Sequence, residues 1–394
     1  MPPPALPRRA LSRRGFLTGT AAAGAALALT ATPARALPAA ARRGPRARPF
    51  GRYGSPAARL TPATVYVDPY GRGDFTAVRP AVDAATATGQ ILVIAPGVYR
   101  ETVTVTAAGT TWIGAGDDPR DVVIVYDNAN GTPKPDGSGT YGTSGSATTL
   151  IRGDAFTAVG VTFANDWLRA DHPEITGTQA VAIKVQGDRA AFHRCRFLGH
   201  QDTLYADSSA LTVFARQYYA DCYAEGDVDF VFGRATAVFE RCHFHTLNRT
   251  DLASAPYGFV FAPSTAVANP YGYLVTHGRI TGDAPDAFYK LARPWVPSSD
   301  TTARPMLTVR DTWLGPGIDA AAPYTNMSDA YPWQSMRFAE HRDTGPGARV
   351  TVPANRPQLA RAQAESATRA VYLGDWAPWA EARTAPWARG VGGR

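Results

Sequence analysis

Cysteine is scarce in this sequence. Three occur in 394 residues, Cys195, Cys222 and Cys242, and none lies in a C-x-x-C arrangement, which argues against a thiolate zinc site. An odd count leaves at least one thiol unpaired within the chain. No acidic cluster suggests a calcium site, so neither a metal nor another cofactor is expected. The Gly-x-Ser-x-Gly elbow of serine hydrolases is missing too. Its nearest lookalike, Gly142-Thr143-Ser144-Gly145-Ser146, ends in serine. An apolar run from Ala21 to Leu29 is too short to span a bilayer. Hairpin signals between strands are almost missing, Asn130-Gly131 being the one candidate.

The net charge of +7 misleads in the same way. Residues 1–36 hold five arginines and no acid, and residues 37–60 hold six more and again no acid. What remains is 29 basic against 33 acidic residues, a net −4 from residue 61 onward. Basic character confined to a leader and a linker gives no footprint for nucleic acid. Ser12-Arg13-Arg14-Gly15-Phe16-Leu17 is a twin-arginine pattern, and the Ala21–Leu29 run leads to Ala34-Arg35-Ala36, a small-x-small cleavage site. The expected organisation is an export signal over 1–36, a Pro/Ala/Arg-rich linker over 37–61, one catalytic domain over 62–380 and a tail over 381–394. The protein is then secreted, exported already folded, free of the membrane after cleavage, and monomeric.

What the chain does have is short strands. Thr64–Val67, Ile91–Ile94, Val98–Val105, Thr111–Gly114 and Val122–Val125 read as a series, with Asp74 placed to N-cap a helix over Asp74–Ala85. The middle of the chain repeats itself: Phe192-His-Arg-Cys195-Arg-Phe197 recurs as Phe239-Glu-Arg-Cys242-His-Phe244, with Tyr219-Ala-Asp-Cys222-Tyr223 between them. Short strands at periods of 20 to 27 residues, without intervening helices, predict a solenoid, and a parallel β-helix rather than a sandwich. Equivalent positions stack in such a fold, which places the three cysteines in one interior ladder. Coils about 4.8 Å apart suit a Cys222–Cys242 bridge with Cys195 free; three buried thiols are the alternative. The helix at Asp74–Ala85 suits the N-terminal end of the solenoid. The tail, with a helical Leu359–Ala370 and the aromatics Tyr372, Trp376 and Trp379, suits the C-terminal end or one flank.

The stretch Gly199–Gly233 carries the chemistry. It sets Asp202 beside Leu204 and Tyr205, and Asp229 between Val228 and Phe230. Carboxylates among such neighbours are costly unless paired. Six segments in order, Gly97-Val-Tyr-Arg-Glu101, Thr143-Ser-Gly-Ser-Ala-Thr148, Gln179-Ala-Val-Ala-Ile183, Gln201-Asp-Thr-Leu-Tyr205, Asp229-Phe-Val-Phe-Gly233 and Leu291-Ala-Arg-Pro-Trp295, resemble those of the pectinesterases (pectin methylesterases), and so does the later Glu340–Ala348. The resemblance covers roughly 62–380. It implies an all-β, single-stranded, right-handed parallel β-helix and a hydrolase that removes methyl esters from pectin (homogalacturonan), releasing methanol. It also implies Asp229 as nucleophile held by Arg293, Asp202 as proton donor and later base, and Gln201 and Gln179 as oxyanion donors. Thr143, Gln179, Arg293, Trp295, Tyr205 and Phe232 are the expected substrate contacts, with Tyr271, Tyr273, Phe288 and Tyr289 as rim candidates. Two departures stand out. Ala292 occupies a position where the family usually has glycine, and Asp207–Val213 lengthens the segment between the two aspartates. The competing readings are a β-helix lyase or polygalacturonase, and a non-catalytic polysaccharide-binding solenoid.

Overall fold

The structure, a computed structural model, describes residues 64–85 and 88–384. The export signal and the linker of the sequence reading lie outside the described residues.

Successive short strands turn through three faces and return one step higher. The strands Ala190–His193, Arg196–Leu198 and Leu204–Ala206 make one coil, and Arg216–Ala220, Tyr223–Gly226 and Val231–Gly233 make the next. Their equivalents pair in parallel and in register along the whole solenoid, giving sheets of ten, eight and seven strands with stepped strand order. We call these the first, second and third sheets, in the order in which a coil visits them. This is a parallel β-helix.

Register explains the sequence repeat. Phe192, Tyr219 and Phe239 fall on equivalent positions, and their rings stack at 4.9 and 4.7 Å between centroids. Phe163 and Phe197 stack beside them at 5.9 Å. Aromatic columns of this kind supply apolar burial and favourable ring contact together.

The cysteine expectation is corrected. All three cysteines are free and buried. They do form an interior column at the turn from the first to the second sheet, but each thiol bonds a carbonyl of the preceding coil: Cys195 to Ala158, Cys222 to Phe192 and Cys242 to Tyr219, at 3.3 to 3.5 Å. In-register stacking points their Cβ vectors the same way, whereas a disulfide needs a dihedral near 90°. Burial pushes the Cys222 thiol well above its ordinary pKa, so it stays protonated and unreactive.

The ends and one flank are covered. The N-terminal helix is shorter than expected, Val78–Asp83. Asp74 does not cap it; its carboxylate accepts from the Tyr66 amide. Glu101 caps the helix instead, one oxygen on the amide of Val78 and the other on that of Arg79, both at 2.8 Å. That reach also breaks the expected Val98–Val105 strand into Gly97–Arg100 and Val103–Val105. The C-terminal segment lies on the outer face of the first sheet, where Tyr372, Leu373 and Trp376 pack on Tyr218, Val238 and Leu274. It is helical in three pieces, Arg361–Ser366, Arg369–Leu373 and Pro378–Thr384. Arg369 ties it to Glu240, and Arg310 donates to its carbonyls at Ala364 and Ala367.

The thiols give a direct check. Alkylation of the native protein should label none of the three cysteines, and alkylation after unfolding without reductant should add three labels. A single label in the unfolded, non-reduced protein would restore the bridge.

Candidate active site

The turn from the second to the third sheet carries the two aspartates. Leu204 pairs with Val231, an offset of 27 residues. The same offset sets Asp202 beside Asp229 and His200 beside Asp227 on adjacent coils, about 4.8 Å apart. Both dyad aspartates hold left-handed backbone conformations, with φ of 65° and 51°. Such a residue without a glycine's freedom stores about 1–3 kcal/mol of strain, and strain of this kind gathers at functional turns. The Asp202 amide donates to the Val228 carbonyl at 3.0 Å, which fixes the two turns to each other.

Arg293 lies two coils beyond Asp229. It reaches back over the ring of Phe259, 3.8 Å from its centroid, and grips Asp229 with two bonds: Nε to Oδ1 at 2.8 Å and Nη2 to Oδ2 at 2.6 Å. Among the described residues, Asp202 has no such partner. Burial, followed by the charge of Asp229, raises Asp202 well above the usual carboxylate range. Burial leaves Asp229 raised as well, though the Arg293 bonds oppose that rise. Of the coupled pair, Asp202 is therefore the one that holds a proton and Asp229 the one that ionises first.

A third carboxylate, Asp227, escaped the sequence reading. It is fully buried beside the dyad and held by Arg169 with two bonds (2.6 and 2.9 Å), by His200 Nδ1 at 3.3 Å and by the Val228 amide. Burial alone would raise its pKa, but the bonds from His200 and Arg169 outweigh that and hold it well below the usual range. A fixed negative charge thus sits next to both dyad members. Its signal was an aspartate two residues before Asp229 in an otherwise apolar segment.

The two glutamines are oriented by their neighbours. Thr178 donates to Gln201 Oε1 at 2.6 Å, and Asn130 donates to Gln179 Oε1 at 2.9 Å. With both carbonyl oxygens engaged, the two NH₂ groups remain as donors. Asn130 also donates to Thr143 Oγ1 at 3.2 Å, so Thr143 and Gln179 are held by one amide.

The outward face of the third sheet forms the wall beside the dyad. Tyr205 and Phe232 stack at 4.1 Å and are nearly covered, while half-buried Trp295 packs against both at 6.1 and 5.7 Å. Lys184 lies over Tyr205 at 4.2 Å and joins Asp207, which also binds Arg234. These pairs anchor the start of the lengthened loop, and the exposed side chains of Leu211 and Val213 follow. Ala292 is fully buried, its side chain in the core. The rim candidates separate from the cleft. Tyr273 and Tyr289 are core residues bonded to the carbonyls of Ala206 and Leu247. Tyr271 packs on Tyr372 under the C-terminal segment, and Phe288 packs on Tyr257. No cluster of three metal-ligating side chains occurs among the described residues.

Comparison with known proteins agrees with this geometry. The chain is 32% identical to pectinesterase 31 of Arabidopsis thaliana over 73% of its own length and 84% of the relative's. It is 33% identical to pectinesterase A of Dickeya dadantii, over 77% and 88% respectively. Among solved structures, it superposes on a pectin methylesterase in complex with a hexasaccharide with a TM-score of 0.71 at 30% identity, covering 79% of this chain and 97% of that one. It superposes on the carrot pectin methylesterase with a TM-score of 0.67 at 27% identity, covering 82% and 96%. The pectinesterase family model matches residues 64–375, so a fold, a dyad and a match that span the same residues make this chain a member of the pectinesterase family.

Proposed function

We propose that this pectinesterase, a carboxylic ester hydrolase, removes methyl esters from pectin through a covalent intermediate on Asp229. The observation that carries the reading is the asymmetry of the dyad: two stacked, buried aspartates, only one of them gripped by a guanidinium. The ionised Asp229 attacks the ester carbonyl carbon. The carbonyl electrons move onto oxygen, where the amide groups of Gln201 and Gln179 donate to the oxyanion. Collapse expels methoxide, which takes the proton of Asp202 and leaves as methanol. The mixed anhydride that remains is attacked by water as Asp202, now ionised, accepts the water's proton. The second collapse frees the galacturonic acid, which loses its proton to solvent, and regenerates Asp229 ionised and Asp202 protonated. Asp227 keeps its charge throughout and disfavours a second ionisation in the dyad. Trp295 offers the partly open aromatic face on which a pyranose ring stacks, with Tyr205 and Phe232 packed against it, and Thr143 contacts the chain from the short helix Gly142–Gly145.

Asp229→Asn removes the nucleophile while keeping its shape. Methanol release from highly methylated pectin, assayed with chelator present, should fall by about 10³-fold or more, with the thermal midpoint retained. Near-normal release would refute the assignment, and unsaturated or shortened oligomers from the native enzyme would point to a lyase or polygalacturonase instead.

The pH profile follows from the same asymmetry. Activity needs Asp229 ionised and Asp202 protonated, so it falls as pH drops through the lower apparent pKa and as pH rises through the upper one. Arg293→Lys keeps a charge but loses the two-bond grip, which raises the lower pKa. The acid limb of kcat/KM should then move to higher pH; an unmoved limb would mean that Arg293 does not set the ionisation of Asp229.

We further infer export through the twin-arginine route, from the leader pattern at Ser12–Leu17 and the Ala34-Arg35-Ala36 site. Amino-terminal sequencing of the secreted protein should start at Leu37. Retention of the protein in the cytoplasm, with Met1 or Pro2 at its start, would reject the inference.

A further inference from the structure

On the far side of the second sheet from the dyad, a groove of about 760 Å³ follows the turn from the first sheet. Five arginines line it: Arg120, Arg194, Arg196, Arg241 and Arg279. Its two lining carboxylates are already engaged, Asp118 by Arg120 at 2.8 Å and Asp221 by Arg241 at 2.8 and 2.9 Å. Arg194, Arg196 and Arg279 have no carboxylate within ion-pair distance among the described residues. Arg196 is the telling member. It is only 9% exposed, it lines the groove, and its guanidinium lies 5.1 Å from the ring of Tyr223, with the carboxylates of Glu225 and Asp118 acting on it from beyond ion-pair distance. A guanidinium so far out of water and without a direct ion-pair contact is costly, and an anion in the groove would offset that cost.

The cations are spaced for a chain rather than for a small ion. Register sets Arg196, Tyr223, His243, Arg279 and Trp313 in one row across the second sheet. Arg196 and Arg279 are three coils apart, about 14 Å at about 4.8 Å per coil, with an aromatic face between them and the exposed indole of Trp313 beyond. Arg279 Nη2 donates to His243 Nδ1 at 3.2 Å, and burial lowers His243 to about 4, so the imidazole stays neutral and orients the arginine. Alternating guanidinium and aromatic surfaces along one line suit a polymer that presents a carboxylate on each sugar and pyranose faces between them.

We propose that this groove is a second polysaccharide site that binds de-esterified galacturonan, the anionic product of the catalytic cleft. The identity of the polymer rests on the pectin reading above; the anionic, linear character of the ligand rests on the groove alone. The strands Arg196–Leu198 and Tyr223–Gly226 run from the groove to the turns that carry Asp202 and Asp229. Six residues separate Arg196 from Asp202, at most about 20 Å of chain. A demethylated stretch held there keeps the enzyme on the polymer and raises the local concentration of ester at the cleft. The attachment weakens with salt.

The test compares the native enzyme with Arg196→Gln/Arg279→Gln in binding fully de-esterified polygalacturonate, measured by affinity electrophoresis. The apparent Kd should weaken about tenfold or more in the variant. Methanol release from a short methylated oligogalacturonide, too small to span both sites, should keep its kcat/KM. Should the loss of buried Arg196 lower the thermal midpoint, Arg194→Gln/Arg279→Gln, at half-buried and exposed positions, repeats the comparison with the same expected result. Unchanged affinity for polygalacturonate in the well-folded variant would overturn the proposal. So would native binding of dextran sulfate as tight as that of polygalacturonate, with equal loss of both in the variant, since the groove would then be a cation exchanger without preference for uronate. The esterase reading fails separately: an enzyme that releases no methanol yet loses polygalacturonate binding on substitution would sink that reading and leave the groove standing.

Discussion

Parallel, in-register stacking of one coil on the next is the constraint from which the rest of this molecule follows. Backbone amides bond carbonyls of the coils on either side, so a residue's place in one coil dictates what lies above and below it. Inside, that rule makes columns of like side chains, the rings of Phe192, Tyr219 and Phe239 and the thiols of Cys195, Cys222 and Cys242. At the turns it repeats an unfavourable backbone. Arg194, Asp221, Arg241, His277, Asp311 and Arg342 all have φ between 48° and 56°, following Gly160 at 65°. Only the glycine adopts that conformation without cost, though aspartate and histidine tolerate it better than arginine. The hydrogen bonds on both sides over-determine it, so the strain is spread along the ladder and the polar side chains are presented outward in a line.

The turn that carries Asp202 and Asp229 uses the same rule for a different end. Stacking forces Asp202 and Asp229 to neighbour one another whatever their charge, and burial makes two charges there untenable. The arginines decide how the proton is shared. Arg293 reaches Asp229 and not Asp202, and Arg169 with His200 takes Asp227 out of the competition by keeping it ionised. The difference between two chemically identical side chains one coil apart is thus set by residues from distant coils, which converge because the solenoid brings Arg169 and Arg293 to the same edge from opposite directions along the axis.

Much of this was legible in the sequence, and the misses have a common cause. Strand positions such as Thr64–Val67 and Ile91–Ile94 were readable because apolar runs and the Phe–Cys–Phe repeat are local signals. The dyad and Arg293 were readable from motif order. What failed depended on partners far away in sequence. Glu101, not Asp74, caps the helix Val78–Asp83, since a carboxylate 22 residues on arrives with both oxygens. Tyr273 and Tyr289 looked like surface aromatics, yet the strand phase turns them inward. The cysteine column was foreseen and its chemistry was not, because coil spacing gives a distance and says nothing of the direction in which each Cβ points. Asp227 was overlooked for a related reason: a buried aspartate is recognised by the arginine that matches it, and Arg169 stands 58 residues earlier.

Matching of charge also separates the two ends of the second sheet's strands. Around the dyad the cations are spoken for: Arg293 by Asp229, Arg169 by Asp227, and both Lys184 and Arg234 by Asp207. Such a cleft presents little net positive field, which suits a neutral methyl ester and gives no strong hold on the carboxylate that replaces it. On the other side the balance is reversed, with Arg194, Arg196 and Arg279 left over after Asp118 and Asp221 are engaged. Hydrolysis turns a neutral sugar into a charged one, so the reaction itself moves a segment of polymer from what the first surface tolerates toward what the second attracts. A chain of mixed esterification therefore meets two surfaces of opposite preference, separated by the length of one short strand.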